Sequence, residues 1–127
     1  MASVDEMQQY LRRDCLEITG IPVVPLDDPC NLVAEVCEIL NVGLDENDIS
    51  VAHRLQPRKN TKDRIIVKFV KRNKRDEVYK QRSKLNGKTT RCLPTVNAEI
   101  QEGTIGATAK IYINESLTLI GEDYFGK

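Results

Sequence analysis

The segment RIIVKFV at residues 64–70 constrains the fold more than any other stretch of this 127-residue chain. Three apolar side chains alternate there with Arg64, Ile66 and Lys68, as in a strand whose two faces meet different surroundings. A strand that is buried on both faces would be apolar throughout. The segment therefore predicts a sheet with one covered face and one open, cationic face.

Hydrophobic periodicity predicts three further strands and two helices. The predicted order is a strand at residues 15–22, a helix from the Asp27/Asp28 cap to Gly43, strands at 48–55 and 64–70, a helix at 73–85 and a strand at 110–117. This order is the split βαβ plan. We therefore expect an α+β, ferredoxin-like βαββαβ sandwich, in which two helices cover one face of a four-stranded antiparallel sheet.

The length predicts one domain with short extensions. Val4, Met7 and Leu11 follow heptad spacing, so residues 1–13 are interpreted as a helical lead-in or the end of an upstream coiled coil. The domain proper is predicted at residues 14–118 and a tail at 119–127. Residues 88–109 show no clear period and are rich in Thr, Gly and Ala, which indicates a long loop.

Charge is segregated along the chain although the net charge is zero. Residues 1–53 carry 2 basic and 11 acidic side chains, residues 54–91 carry 15 and 3, and residues 92–127 carry 2 and 5. The three parts therefore have net charges of −9, +12 and −3. A basic module of this kind favours a polyanionic partner, although a charge run is also the ordinary composition of a solvated surface.

Several function classes find no support in the sequence. No apolar run approaches the ~20 residues of a membrane span, so no membrane partner is expected. The four cysteines lack the paired spacing of a zinc site and are interpreted as reduced, mostly buried thiols. The one histidine, His53, has no evident nucleophile beside it. We predict no catalytic, cofactor-binding or metal-binding residues, and no enzymatic activity.

An open cationic sheet is the surface with which RNA-recognition domains bind single strands. Such domains stack bases on aromatic residues of the first and third strands, and the corresponding positions here hold Glu17, Arg64 and Ile66. Only Tyr112, on the fourth strand, offers an outward ring. Contact through phosphates is therefore expected rather than base reading by aromatic stacking, while Arg64 could still stack its guanidinium on a base.

Four segments, in this order and spacing, resemble a known family: YLRRDCLEITGIP, DISVAHRL, RIIVKFVKRNKRDEV and IYINESLT. They are similar to the atypical RNA-recognition domain in first-open-reading-frame proteins of LINE-type non-LTR retrotransposons, and to the related C-terminal domain of the baculovirus few-polyhedra protein. The resemblance covers residues 7–127 and departs from the family at 88–109. It implies a nucleic-acid chaperone that coats its own transcript in a cytoplasmic or nuclear ribonucleoprotein and self-associates through an upstream coiled coil.

Ten residues are candidates for contact with single-stranded RNA, with DNA left open. The resemblance places Arg12 and Arg13 on phosphates at the joint between coil and domain. The remaining candidates would line the sheet face or flank the second helix: Arg54, Arg64, Lys68, Lys71, Arg72, Arg75, Lys110 and Tyr112.

The alternative hypothesis is a protein-interaction or self-assembly module with the same fold. Ferredoxin-like sheets also bind proteins, and the acidic first helix, with Glu35 and Glu38, could dock the basic segment of another copy. The missing stacking aromatics favour this alternative. The outward cations and Tyr112 favour nucleic acid.

Overall fold

The computed structural model describes residues 14–57, 63–104 and 108–115. The sheet contains β1 (Cys15–Thr19), β2 (Ile49–Arg54), β3 (Arg64–Phe69) and β4 (Tyr112–Glu115). The α-helices are α1 (Pro29–Ile39), α2 (Arg72–Lys80) and α3 (Pro94–Gln101), and two 3-10 helices lie at Arg82–Leu85 and Thr90–Cys92. The predicted lead-in at 1–13 and tail at 119–127 lie outside the described residues.

The strands form one antiparallel sheet in the order β2-β3-β1-β4. β1 pairs with both β3 and β4, and β2 pairs with β3. Read from the other edge, the order is β4-β1-β3-β2, in which each βαβ unit leaves room for a strand of the other unit. The expected ferredoxin-like α+β fold is confirmed.

All three helices pack on the same face of the sheet. The core joins Ile65, Val67 and Phe69 of β3 to the apolar stripes of α1 and α2 and to Val96 of α3. As predicted, α1 begins after Asp28, whose carboxylate accepts a hydrogen bond from the Asn31 backbone N–H at 3.3 Å, with Pro29 in the first turn. Asp28 and Pro29 determine where α1 begins.

The segment 88–109 is not the loop that its sequence predicted. It contains the second 3-10 helix and α3, and Leu93 and Val96 are fully buried. The periodicity was too short to detect, because α3 has only 8 residues and buries a single side chain of its own in the core. Domains of this plan need only two helices, so α3 is an addition to it.

A polar cluster between α1 and α3 explains how the added helix is held. Glu35 of α1 accepts a hydrogen bond from the backbone N–H of Thr95 at 3.1 Å and another from its hydroxyl group. Asn31 donates to Glu35 at 2.8 Å and to Thr95 at 3.2 Å. Because the first N–H groups of a helix lack partners within it, a carboxylate from α1 here replaces the cap that α3 lacks.

The predicted helix at 73–85 is divided in two. α2 ends at Lys80, and the separate 3-10 helix continues from Arg82 to Leu85, where Leu85 enters the core. The N-cap is Lys71 and not the predicted Asn73, and Lys71 makes no side-chain capping bond. The break carries the chain from α2 towards the outer strand β4.

Candidate nucleic-acid interface

The second face of the sheet, which α1 and α2 do not cover, differs from the prediction at its centre. Cys15, Leu55 and Ile66 form a small buried cluster there, and Arg64 is 1% exposed. The Arg64 guanidinium donates two hydrogen bonds to Glu17, at 2.9 and 3.1 Å, and one to the Gln56 carbonyl at 2.8 Å. The prediction that Arg64 is an outward cation is wrong, whereas the predicted pairing with Glu17 is confirmed.

Arg54 is also placed differently from its prediction. It lies beside Ile65 of β3, on the side that faces the helices, and not on the second face. Its guanidinium binds both carboxylate oxygens of Asp27, at 2.9 and 3.0 Å, and donates to the carbonyls of Ile21 and Pro22. Arg54 therefore holds the loop between β1 and α1.

Arg75 points inward from α2, and its side chain is 6% exposed. It donates to Glu115 of β4 at 2.7 Å and to Asp76 at 3.0 Å. Burial alone would lower the pKa of this guanidinium, but the hydrogen bonds to Glu115 and Asp76 raise it above its ordinary value. The prediction that Arg75 belongs to an exposed flank is wrong, because it joins α2 to the edge strand.

The remaining candidates differ in position. Lys68 is half-buried on the second face, beside Cys15 and Val51 of the neighbouring strands. Lys71 and Arg72 are exposed at the start of α2, where Arg72 makes a loose ion pair with Asp76 at 3.7 Å. The predicted Arg12 and Arg13 lie outside the described residues.

Lys110 and Tyr112 line a groove of about 700 Å³ beside β4, here called the β4 groove. One wall is formed by residues 110–114. The other wall follows the end of α2 and the first 3-10 helix, with Lys80, Arg82, Ser83, Leu85, Asn86 and Gly87. Tyr112 is 55% exposed. The described residues that line this groove include three cations, Lys80, Arg82 and Lys110, and no aspartate or glutamate.

The backbone fixes the position of Lys110 from two sides. Gly20 adopts a φ of +102°, and a Cβ at that position would lie 2.0 Å from the Lys110 carbonyl oxygen. Only glycine combines that φ with so close an approach. On the other side, Thr89 forms an isolated antiparallel bridge with Lys110. The Lys110 end of the groove is therefore held between β1 and the chain that leaves the first 3-10 helix.

Lys80 and Arg82 are candidates that the sequence reasoning missed. A signal was available, because the stretch KQRSKLNGKTTR at residues 80–91 holds five basic side chains and no acidic one. The earlier part of the basic module alternates cations with Asp63, Asp76 and Glu77. The absence of neighbouring carboxylates was a better guide to an available cation than the local density of cations.

Other chemistry finds no site among the residues that the structure covers. Burial raises the pKa of the Cys15 thiol to about 11 and that of the Cys37 thiol to about 12, which suppresses their thiolate forms. Cys30 and Cys92 are exposed, so the prediction of mostly buried thiols holds for half of them. No three metal-ligating side chains converge within the described ranges. Within the same ranges no helix is long and apolar enough to cross a bilayer.

No protein-family model fits this chain, and no curated protein matches its sequence.

Proposed function

We propose that this chain binds single-stranded nucleic acid, mainly by holding phosphates in the β4 groove. One observation carries the proposal. Lys80, Arg82 and Lys110 converge on one groove beside an exposed Tyr112, and no described carboxylate lines it. Phosphates neutralised by such cations release condensed counterions, and this release supplies affinity that falls as salt rises.

The shape of the site favours a single strand over a duplex. The groove runs along the edge strand, between β4 and a 3-10 helix, and Tyr112, which is 55% exposed, is one of its lining residues. Single-strand sites combine a cationic groove with a side chain on which a base can stack. Tyr112 supplies such a ring, and the sequence resemblance supplies the preference for RNA. Coating of a retrotransposon transcript is the wider role that this resemblance implies.

The test is a fluorescence-anisotropy titration of labelled single-stranded RNA at several salt concentrations. We compare wild type with Lys80→Ala plus Lys110→Ala, and with the matched pair Lys71→Ala plus Arg72→Ala, which removes the same charge outside the groove. The groove pair is expected to lower affinity and to flatten the log–log salt dependence by about 0.7 for each phosphate that is no longer neutralised. Equal effects from both pairs would indicate non-specific attraction, and no binding by wild type at low salt would contradict the proposal.

A second candidate function, docking to another protein, is favoured by a different region. Leu26 is 99% exposed and has a φ of 56°, and Val23 in the same loop is 63% exposed. The left-handed backbone at Leu26 costs free energy that burial of its side chain does not offset, yet Arg54 fixes this loop through Asp27 and two carbonyls. A rigid loop that presents an apolar tip is typical of an interaction surface.

Sedimentation velocity over a range of concentrations tests whether that partner is a second copy. The informative variant is Leu26→Asn, because asparagine tolerates the left-handed region and removes the apolar tip. Self-association of wild type that this variant abolishes would support docking through the loop. A monomeric wild type at all concentrations would exclude self-assembly of this chain through the loop.

A further inference from the structure

The guanidinium of Arg82 lies over an aromatic ring at the rim of the β4 groove. Its central carbon lies 3.9 Å from the centroid of the Tyr79 ring, and Nη1 donates a hydrogen bond to the Tyr79 carbonyl at 2.8 Å. Arginine side chains on a surface usually sample many rotamers. Two contacts to one residue favour the observed orientation of Arg82 over the alternatives.

Tyr79 also contacts a second, buried arginine. The guanidinium of Arg75 lies 5.3 Å from the centroid of the same ring. Arg75 is buried and bonded to Glu115 on β4. A continuous set of contacts thus runs from the edge strand through Arg75 and Tyr79 to Arg82, and it links the two walls of the groove.

Arg82 is exposed and lines the groove, while Tyr79 lies beneath it. A planar cation that rests on a ring and remains open to solvent offers a second planar surface. Nucleobases stack on guanidinium planes as well as on aromatic rings. This matters here because the three positions that carry stacking aromatics in RNA-recognition domains hold Glu17, Arg64 and Ile66.

We infer that a base of a bound single strand stacks on the outer face of Arg82 and completes a stack of Tyr79, Arg82 and base. The inference rests on the proposed function and deepens it, because Arg82 then contributes a planar surface in addition to a charge. The in-plane Nε and Nη2 groups of Arg82 are left to donate to a phosphate of the same strand. Tyr79 acts as a positioning residue, since it reaches the base only through Arg82.

Arg82→Lys separates the two contributions, because lysine keeps the charge and loses the plane. The titration uses single-stranded RNA that carries the fluorescent base 2-aminopurine, whose emission is quenched by stacking. Arg82→Lys is expected to lower affinity about fivefold to tenfold, in line with the loss of one stacked base. The salt slope should stay unchanged, and quenching should decrease. Arg91→Lys is the matched control, since Arg91 is exposed and does not line the groove.

The role of Tyr79 is tested in the same assay. Tyr79→Leu should reproduce the loss of affinity and quenching at unchanged charge, and Tyr79→Phe, which keeps the ring, should restore both. A double variant with Arg82→Lys should lose little more than either single variant, because the two residues act as a unit.

The outcomes separate this inference from the function on which it rests. Salt-dependent binding that Arg82→Lys and Tyr79→Leu leave unchanged would overturn the stack and keep the phosphate groove. A flattened salt slope in Arg82→Lys would also overturn it, since the weaker binding would then come from a missing phosphate interaction. Failure of wild type to bind at all would contradict the proposed function and the stack together.

Discussion

The second face of the sheet and the β4 groove both contain cations, but Arg64 of the second face is paired with Glu17, whereas no aspartate or glutamate is among the described residues that line the groove. Arg64 is buried between Glu17 and the Gln56 carbonyl. Lys80 and Lys110 line a groove without a described carboxylate. A cation that is paired with a carboxylate of the same chain stabilises the fold. Because its charge is already neutralised, it attracts a phosphate only weakly.

This difference divides the basic residues into two groups with opposite expected phenotypes. Substitution of the paired group, Arg54, Arg64 and Arg75, should lower stability. Substitution of the groove group should lower affinity and leave stability nearly unchanged. The following predictions test this division, beginning with the largest effect.

Arg64→Ala is expected to reduce the free energy of unfolding by about 3–5 kcal/mol, the range for breaking a buried ion pair. The reason is that Glu17 loses its partner and a volume within the sheet face is emptied. Urea denaturation followed by circular dichroism measures the change. The double variant Glu17→Ala plus Arg64→Ala should lose less than the sum of the single variants. A loss below about 1 kcal/mol would place Arg64 among exposed cations after all.

Arg54→Ala is expected to cost about 2–3 kcal/mol, because a charged group that bonds a carboxylate and two carbonyls is removed. The loop between β1 and α1 should also gain mobility. Hydrogen exchange at Val24, whose N–H donates to Asp27, reports this directly. Unchanged protection there, together with reduced RNA affinity, would return Arg54 to the nucleic-acid surface.

The sequence predicted most of the fold because the succession of strands and helices along the chain follows from local patterns. The alternation in β3 predicted a strand there, and the Asp28–Pro29 cap predicted the start of α1. The residues of the interface were harder to predict, because contacts between residues that are distant in the chain decide whether a cation is buried and paired or exposed. Arg64 and Glu17 are 47 residues apart, and Arg75 and Glu115 are 40 apart.

The prediction missed α3 for the same reason, because a contact with a distant residue holds this helix. Its position depends on Glu35, which lies 60 residues before Thr95. In the sequence, Glu35 was interpreted as part of an acidic docking surface, since its partner on α3 had no periodic pattern to reveal it. Local patterns predicted α1, which is capped by its own Asp28, and missed α3, which is capped by a residue of another helix.

The thiol of Cys15 tests whether the second face is closed. Burial is the main reason why its pKa rises from 9.0 to about 11, and the nearby charge of Lys68 only partly offsets this effect. The folded protein therefore retains a proton that the unfolded chain releases above pH 9. Stability should be fully present below pH 9 and should fall towards pH 11, by up to about 1.4 kcal/mol per pH unit.

Urea denaturation at a series of alkaline pH values measures this slope. Cys15→Ala is the reference, because it removes the contribution of Cys15 and should leave only the smaller slope that Cys37, whose pKa burial raises to about 12, also produces above pH 9. If the second face were as open as the sequence predicted, Cys15 would ionise near its ordinary pKa. Wild type and variant would then show the same slope.

The smallest expected effect is that of the groove cations on stability. Lys80→Ala plus Lys110→Ala should change the free energy of unfolding by no more than about 0.5 kcal/mol for each site, as for other surface substitutions. Arg82→Ala should cost at most about 1 kcal/mol, the value of an exposed cation–π contact. Thermal and urea denaturation of the same preparations used for RNA titration provide the measurement.

A small change in the free energy of unfolding for the groove variants tests the division into two groups as directly as the large loss expected for Arg64→Ala. Three like charges around one groove repel one another, so their removal could even stabilise the fold slightly. Retained or increased stability together with weakened RNA binding would show that the groove cations serve a ligand and not the fold. A marked loss of stability would mean that they, too, have partners within the protein, and the contrast with the second face would disappear.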